Sequence, residues 1–315
     1  MNSSEIETPV AFNPETDYRW LAEWWNAENP EEPRLASEYE HYDGMREPQY
    51  LFERWTSPGR WMASFGHNSW AQKEGRYVLD IEMAPEMGRD VYDRIVDWGL
   101  AKAIEAKGTE VMMWGRNDRP RSEWLVKRGF DIIETIPVTL LEMANFDPNS
   151  VPNRRTELEE EGIRFCTFAD LDAEGVDWMP LLYESSWEIS KDIPAAYEPT
   201  KPTYEEFRRR ITSSKEHQLD RMWAAMDGNV VAGYSRLFPS QADPSRWRTG
   251  MSGVIRSHRR RGIVTVLKVM GATEAKRQGA VTIQTENNDV NPMLQVNLRM
   301  GYREAYQYLL LEKKI

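Results

Sequence analysis

Apolar and polar positions near the carboxyl end of this chain follow two periods in turn, first that of a strand and then that of a helix. An apolar run over 251–255 predicts a strand, and a basic turn follows it. The next apolar positions recur about every 3.6 residues, as on one face of an amphipathic helix: Ile263, Val266, Leu267 and Met270. Gly279 then ends the helix, and the stretch 281–285 predicts a buried strand. The pattern therefore predicts a strand–helix–strand unit.

The remainder of the second half predicts further elements of the same domain. Asp227-Gly228-Asn229 marks a hairpin turn between two of the strands. The predicted strands are 163–168, 222–226, 230–237, 246–255 and 306–311, and the predicted helices are 178–189 and 204–211. We expect the strand 306–311 to complete this second domain.

The first half of the chain repeats the landmarks of the second half at a nearly constant spacing. Its pattern predicts a helix from Asp90 to about Gly108, followed by a strand over 110–114. Asp90, Pro120 and Gly129 lie 172 residues before Gly262, Pro292 and Gly301, and Gly108 lies 171 residues before Gly279. A shared period predicts two copies of one fold. Chance similarity between two strand–helix–strand units is the alternative.

The two copies are separated by the stretch 145–153, which is rich in Asn and Pro and unlike the interior of a helix or strand. We therefore expect one domain at 1–150 and a second at 151–315. No low-complexity segment interrupts either of them.

The basic turn of the second copy has the composition of a phosphate-binding loop. It comprises six residues at the start of the predicted helix: Arg259, Arg260, Arg261, Gly262, Ile263 and Val264. The first backbone N–H groups of a helix have no intrahelical acceptor and lie at the positive end of the helix dipole. Gly262 lets an anion approach the main chain, and the arginines add positive charge. A solvated basic turn is the alternative that this pattern alone leaves open.

The motifs after the basic turn resemble those of the GCN5-related N-acetyltransferases, in particular an actinobacterial-type pattern of that family. The signature Q/R-x-x-G-x-G/A falls on Arg259, Gly262 and Val264, with Val264 in place of the small residue. The other matching segments are Thr285-Glu286-Asn287, Asn291-Pro292-Met293-Leu294, Asn297 and Gly301-Tyr302. The loop that joins Thr285-Glu286-Asn287 to Pro292-Met293-Leu294 is one residue shorter than is usual in the family. The resemblance is specific over about 220–312.

This resemblance implies an α/β (α+β) fold of two tandem acetyltransferase-like domains, each a mixed, mostly antiparallel sheet flanked by helices. It implies acetyl-CoA as co-substrate in the second copy and no metal. The residues it implies for binding acetyl-CoA are Val254, Ile255, Arg256, Arg259, Arg260, Arg261, Gly262, Ile263, Val264, Thr265, Asn287, Asn291 and Asn297. In the first copy Glu86 and Asp90 stand where the second has its loop, so we expect a degenerate domain that does not bind CoA.

No residue of the sequence stands out as a general base or acid. Glu286 lies just past a central strand and is our candidate base, with a surface or CoA-facing carboxylate as the alternative. Many family members place a tyrosine acid where this chain has Asn297, so Tyr308 becomes the candidate acid, beside Tyr302 and Tyr306. Glu184 and Glu188 lie four residues apart on one helix face and could bind a cationic acceptor. A solvated face is the alternative.

Composition narrows the class of function. The net charge of −11 disfavours nucleic acid as the partner. We expect no membrane association, since no apolar run approaches the length of a bilayer span and the start lacks a signal-peptide pattern. The single cysteine fits a bacterial protein of the reducing cytoplasm, and no residues have the spacing of metal ligands. We expect either a monomer or a homodimer.

We therefore expect an acetyl-CoA-dependent N-acetyltransferase that acts on a primary amine of a small molecule or peptide. The alternative is a non-catalytic protein that uses the same fold to bind acyl-CoA or another ligand.

Overall fold

The computed structural model describes residues 9–47, 49–68, 72–214 and 217–315. The chain forms two compact units. Unit 1 comprises Met1–Thr135 with Tyr306–Ile315, and unit 2 comprises Ile136–Ala305.

Unit 1 is a mixed sheet whose strands run in the order β1-β2-β3-β4-β5-β12. Only the β4–β5 pair is parallel, and the other determined pairs are antiparallel. Its strands are β1 (Val10–Ala11), β2 (Phe52–Ser57), β3 (Trp61–Gly66), β4 (Arg76–Met83), β5 (Glu110–Arg116) and β12 (Arg303–Lys314), and its helices are α1 (Pro14–Glu28), α2 (Ala36–Gly44), α3 (Arg89–Glu105) and α4 (Pro120–Lys127).

Unit 2 has a second mixed sheet, with the strand order β6-β11-β10-β9-β8-β7. Here the β10–β11 pair is parallel and the other pairs are antiparallel. Its strands are β6 (Asp131–Glu142), β7 (Ile163–Thr167), β8 (Met222–Asp227), β9 (Val230–Pro239), β10 (Arg246–Val254) and β11 (Thr282–Glu286), and its helices are α5 (Arg155–Glu160), α6 (Phe168–Ala173), α7 (Trp178–Ser190), α8 (Tyr204–Ser213), α9 (Ile263–Arg277) and α10 (Pro292–Arg299). The expected mixed, mostly antiparallel sheet flanked by helices is confirmed.

Local sequence explains where several helices begin. Thr167 and Thr203 form capping boxes with the acidic residue three positions on, at the starts of α6 and α8. Helices α4 and α10 each begin at a proline and span eight residues, 172 positions apart. The repeated landmarks of the sequence therefore correspond to equivalent helices of the two units.

Apolar clusters fill both faces of the sheet in unit 2. Helix α9 packs Ile263, Val266 and Leu267 against the cluster that contains Trp247 and Ile283. A second cluster joins α7 and α8 to β8 and β9, and it includes Leu182, Ile211 and Tyr234. Residues of β9 and β10 that face α7 are thus separated by the sheet from those that face α9.

The strand that closes each sheet comes from an unexpected part of the sequence. Strand β6 precedes the linker but pairs with β11, from Val138 opposite Glu286 to Glu142 opposite Thr282. Strand β12 pairs with β5 instead of completing the second domain, so our expectation for 306–311 was wrong. The ranges 1–150 and 151–315 remain our prediction for the two sequence copies. The compact units exchange their closing strands, which no local periodicity encodes.

This exchange predicts which unit each closing strand stabilises. Leu311 is fully buried in the core of unit 1 and Leu141 is 1% exposed in the core of unit 2. Truncating either side chain leaves a cavity that costs about 2–5 kcal/mol. In native-state hydrogen exchange, Leu311→Ala should lower protection across β3, β4 and β5, and Leu141→Ala should lower it across β9, β10 and β11. The opposite assignment of the two variants would contradict the exchange.

Candidate functional site

Two parallel strands of unit 2 diverge at the centre of its sheet. Strands β10 and β11 pair only from Arg246 opposite Thr282 to Arg248 opposite Gln284. Strand β10 then continues to Val254, with a bulge between Thr249 and Ser252 in its pairing with β9. Within the described part of the chain, residues 249–254 have no strand partner on the β11 side. Their main-chain polar groups therefore border an opening in the sheet.

The loop between β10 and α9 presents main-chain N–H groups at the end of this opening. Arg260 has a φ of 63° and Gly262 has a φ of 94°, both in the left-handed region. Gly262 is the N-cap of α9, and no side chain of the described residues caps this end of the helix. The N–H groups of the first turn of α9 can therefore bind an anion.

Most arginines of the loop are held by acidic side chains of unit 2. Arg256 Nε donates to Asp192 at 2.7 Å, and Arg259 Nη2 donates to the same carboxylate at 2.7 Å. Arg261 pairs with Glu161 at 2.7 Å. Hydrogen bonds from the Arg256 side chain, with further ones from Arg259, lower the pKa of Asp192 to about 2. This carboxylate stays ionised at neutral pH and fixes the loop.

Arg260 differs from its neighbours. It is exposed, and among residues with described positions none forms an ion pair with it. Its guanidinium is therefore the charge of this loop that is available to an anionic ligand.

The other predicted cofactor residues of the loop lie together around the first turn of α9. Arg259 Nε donates to the carbonyl of Val254 at 2.9 Å, and the Ile255 N–H donates to the carbonyl of Ala232 at 2.9 Å. Ile263 is buried in the core, while Val264 is partly buried against it. The Thr265 N–H donates to the carbonyl of Gly262 at 3.0 Å.

The three predicted asparagines lie at the N-cap of α10, in its second half and just after β11. Asn291 caps α10 by accepting the Met293 N–H at 2.9 Å. Asn297 is fully buried, and its Nδ2 donates to Asn287 Oδ1 at 2.5 Å. Among the described residues, none donates a hydrogen bond to the Asn297 Oδ1 atom. These contacts join α10 to the strand that borders the opening.

The two glutamates expected at an acceptor site have different surroundings. Glu188 Oε1 accepts the main-chain N–H of Arg256 at 2.8 Å, so it supports the loop. Glu184 lies 3.6 Å from Lys201 Nζ, and its side chain is exposed. Their role in binding an acceptor stays a prediction.

The candidate base and acid belong to different units. Glu286 is exposed at the end of β11 and accepts a hydrogen bond from Gln284 at 3.3 Å. Tyr308 lies in unit 1, where its hydroxyl donates to Glu32 at 2.8 Å. Both catalytic roles remain predictions.

Lys268 is a functional candidate that the sequence pattern did not bring forward. This lysine of α9 is only 4% exposed, and burial lowers its pKa to about 8. Its Nζ lies 5.9 Å from the centre of the Tyr302 ring. A lysine inside the apolar stretch 263–272 was the signal that could have identified it.

Unit 1 has the same divergence of strands but fills it. Strands β4 and β5 pair only from Arg76 opposite Glu110 to Val78 opposite Met112. Beyond that point Arg121 of α4 donates to the carbonyl of Ile81 at 3.2 Å and pairs with Glu28 at 2.6 Å. A protein side chain therefore bonds the main chain of β4 where unit 2 leaves β10 open.

The N-terminus of helix α3 in unit 1 is also unsuited to binding an anion. Gly88, the N-cap of α3, has a φ of −85°, unlike Gly262. A Cβ atom at Gly88 would lie 2.9 Å from Asp90 Oδ1, so this carboxylate lies over the first turn of α3. Negative charge there repels a phosphate group.

The described residues contain no helix long and apolar enough to span a membrane. They also contain no group of three or more His, Cys, Asp or Glu side chains that could hold a metal ion.

Comparison with known proteins gives a family match for part of unit 2. Residues 182–302 match the model of the Acetyltransferase (GNAT) family. No curated protein matches the chain. The matched segment contains the diverging strands, the loop and α10, so this part of unit 2 is similar to the GNAT acetyltransferases.

Solved structures show the same fold over the whole chain. A tandem GNAT protein from the clavulanic acid biosynthesis pathway is 16% identical with a TM-score of 0.72, over 98% of this chain and 97% of that one. A GCN5-related N-acetyltransferase from Sphaerobacter thermophilus is 17% identical with a TM-score of 0.67, over 98% and 95%. A GNAT-family acetyltransferase from Colwellia psychrerythraea is 8% identical with a TM-score of 0.63, over 97% and 99%. The chain therefore shares its two-unit fold with these proteins.

Proposed function

We propose that this protein is an acetyl-CoA-dependent N-acetyltransferase whose second unit transfers an acetyl group to a primary amine of a small molecule or peptide. The observation that carries the proposal is the unpaired edge of β10 beside an uncapped helix N-terminus, both within the described residues. The unpaired edge of β10 can bond an extended ligand chain that carries amide groups, and the N-terminus of α9 can bind a pyrophosphate. The single cysteine favours a reducing compartment, and we place the enzyme in the cytoplasm.

Each part of the site has a distinct role in this proposal. Acetyl-CoA would supply the acetyl group as a thioester. Main-chain N–H groups near the β10 bulge would polarise the thioester carbonyl, and the first turn of α9 with Arg260 would hold the pyrophosphate. Glu286 would accept the proton that the acceptor ammonium must lose before it attacks.

We infer that unit 1 does not bind CoA. Arg121 occupies the main chain of β4 beyond the paired segment, and Asp90 lies over the start of α3. Arg121 thus blocks the strand edge along which the chain attached to the pyrophosphate would lie. The negative charge of Asp90 repels the pyrophosphate itself.

A non-catalytic acyl-CoA-binding or other ligand-binding protein is the second candidate. Asn297, which stands where many members of the family have a tyrosine acid, favours it, because an amide cannot donate a proton to a leaving group. Thiol release from acetyl-CoA in the presence of a panel of primary amines separates the two candidates, since only an enzyme shows amine-dependent release.

Replacing Gly262 tests the loop. Gly262→Glu adds a side chain and a negative charge at the uncapped helix end, so CoA affinity should fall by at least about 100-fold and amine-dependent thiol release should be lost. The three described atoms nearest to a Cβ atom at Gly262 belong to the Arg154 side chain, the closest at 3.7 Å, so the fold should persist. Calorimetry with CoA and circular dichroism measure the two effects.

Gly279→Glu is the matched control for this variant. Gly279 has a φ of 87° and lies at the other end of the same helix, and a Cβ atom there would have none of the described residues within 4 Å. The control carries the same backbone strain and added charge, and it should bind CoA as the wild type does. Equal CoA affinity of folded Gly262→Glu and Gly279→Glu variants would refute the loop assignment.

Replacing Glu286 tests the proposed base. Glu286→Gln keeps the size of the side chain but removes its ability to take a proton, so turnover on a good acceptor should fall by about 100-fold or more. The acid limb of the pH profile should also disappear, because it reports protonation of this carboxylate. CoA affinity should stay unchanged. If turnover and profile both survive, Glu286 is not the base, and the acceptor loses its proton by another route.

A further inference from the structure

An arginine of unit 2 lies opposite the bulge of β10. The pairing of β9 with β10 shifts between Thr249 and Ser252. Arg236 is the one residue of β9 between the two flanking pairs, whereas β10 has both Gly250 and Met251 there. The bulge belongs to the segment of β10 that borders the opening, so the register alone places this arginine at the candidate site.

The guanidinium of Arg236 packs against the main chain of this bulge. A Cβ atom at Gly250 would lie 2.5 Å from Arg236 Nη2 and 2.6 Å from its Cζ. The guanidinium therefore takes the space that a side chain at Gly250 would need, and the arginine as a whole is half-buried. A positive charge thus lies beside the strand segment at which we propose that the thioester carbonyl is polarised.

His217 holds this guanidinium in place. Its Nε2 atom is hydrogen-bonded to Arg236 Nη1. Burial, together with the positive charge of Arg236, lowers the pKa of His217 to about 3, so the imidazole is neutral at pH 7. Because a guanidinium can only donate, Nε2 is the acceptor and the proton is on Nδ1, for which the described residues provide no acceptor. The side chains of this pair therefore present N–H groups.

A second arginine lies on the same face of the sheet. Arg248 lies just before the bulge, opposite Gln284 in the last pair of β10 with β11. Leu237 and Trp247 pack into the cluster under α9. Side chains alternate along a strand, so Arg236 and Arg248 both lie on the other face, which is the face covered by α7. That face of the opening is lined by two arginines.

These N–H groups favour an acceptor that carries a negative charge of its own. A guanidinium repels a lone ammonium, but it binds a carboxylate through two parallel N–H···O bonds. The contact between Arg236 and Gly250 also limits the geometry of such an acceptor. If the amine attacks a thioester held at the bulge, a carboxylate bound by Arg236 must lie only one or two carbon atoms from the attacking nitrogen.

Building on the proposed acetyl transfer, we propose that the acceptor of unit 2 is a small amino acid whose carboxylate binds Arg236. Its ammonium first loses one proton, and the neutral nitrogen then forms a bond to the acetyl carbon. The carbon–sulfur bond breaks with its electron pair moving to sulfur. The nitrogen loses a second proton as the amide forms, and the sulfur takes one proton and leaves as the thiol of CoA. The carboxylate is unchanged.

Matched pairs of amines test this proposal directly. Glycine is compared with methylamine, β-alanine with ethylamine, and phenylalanine with phenethylamine, because the members of each pair differ only by the carboxylate. In amine-dependent thiol release, kcat/KM of the wild type should be at least about 10-fold higher for the amino acid of the preferred pair. The long ε-aminocaproate should behave as an amine without a carboxylate. Equal values within every pair would overturn the proposal.

Arg236→Gln should remove this preference. The variant loses a hydrogen-bonded charge pair with the acceptor, so kcat/KM for the preferred amino acid should fall by about 10- to 100-fold. The matched amine without a carboxylate and the KM for acetyl-CoA should keep their values. Glutamine can still donate a hydrogen bond to His217, so the variant should fold. An equal loss for both members of the pair would show that Arg236 acts on acetyl-CoA and would overturn the proposal.

Gly250→Ala is a second variant, which keeps the charge of Arg236 but moves it. The three described atoms nearest to a Cβ atom at Gly250 all belong to the Arg236 side chain, so the new methyl group displaces the guanidinium. The preference for the amino acid should fall as it does in Arg236→Gln. A preference equal to that of the wild type would mean that the position of the guanidinium at the bulge is irrelevant, and the proposal would fail.

Arg246→Gln is the matched control. Arg246 lies on the same strand, about 13 Å from Gly250 along it, and its Nε pairs with Asp243 at 3.0 Å. The control removes the same charge from the same strand and should keep the preference of the wild type. A loss as large as that of Arg236→Gln would contradict the proposal, because the change in net charge would then explain both variants.

Two further comparisons separate the possible explanations. A guanidinium also binds phosphate, so phosphoethanolamine is tested beside β-alanine; a clearly higher kcat/KM for phosphoethanolamine would overturn the assignment of a carboxylate. If the wild type acetylates amines without regard to the carboxylate, the proposed function stands and only this inference fails. If no amine of the panel causes thiol release, the proposed acetyl transfer fails, and this inference falls with it.

Discussion

The main-chain groups of a strand inside a sheet need hydrogen-bond partners, and the parallel strands at the centre of each unit separate before those partners are supplied. In unit 1 the free segment of β4 bonds Arg121, and in unit 2 the free segment of β10 borders an opening. The same strand geometry is thus completed by a protein side chain in unit 1, while in unit 2 it borders an opening that we propose a ligand fills. The loop after β10, the N-cap of α9 and the asparagines near α10 matter for the proposed function because they surround that opening.

The exchange of closing strands explains why a chain with one proposed CoA site keeps two copies. Strand β6 precedes the linker, yet it pairs with β11, one of the two strands that border the opening. The Asn287 N–H also donates to the carbonyl of Pro137 in β6, at 3.2 Å. Unit 2 therefore depends on sequence from the first half of the chain. The first copy would therefore keep this structural role even if, as we propose, it does not bind CoA.

The sequence predicted much of this organisation because periodicity and caps are local. The boundaries of α7, β9 and α9, the landmarks 172 residues apart, and a glycine at the start of α9 all follow from short segments. The exchange of β6 and β12 could not be predicted, since both strands fit either sheet by pattern alone. Contacts between distant residues were missed for the same reason, as with Asp192 beneath Arg256 and Arg259, or Arg121 on the edge of β4. Lys268 was missed because an apolar helix face masks a single polar residue.

The central claim is that acetyl-CoA binds along β10 and the start of α9 and leaves unit 1 unoccupied. Amide hydrogen exchange with and without acetyl-CoA tests it most directly, because each segment reports separately. The account predicts new protection at 250–255 and 260–265, with none at 79–91, where the counterpart of this site lies in unit 1. Equal protection at 79–91, or no change at 250–265, would contradict it.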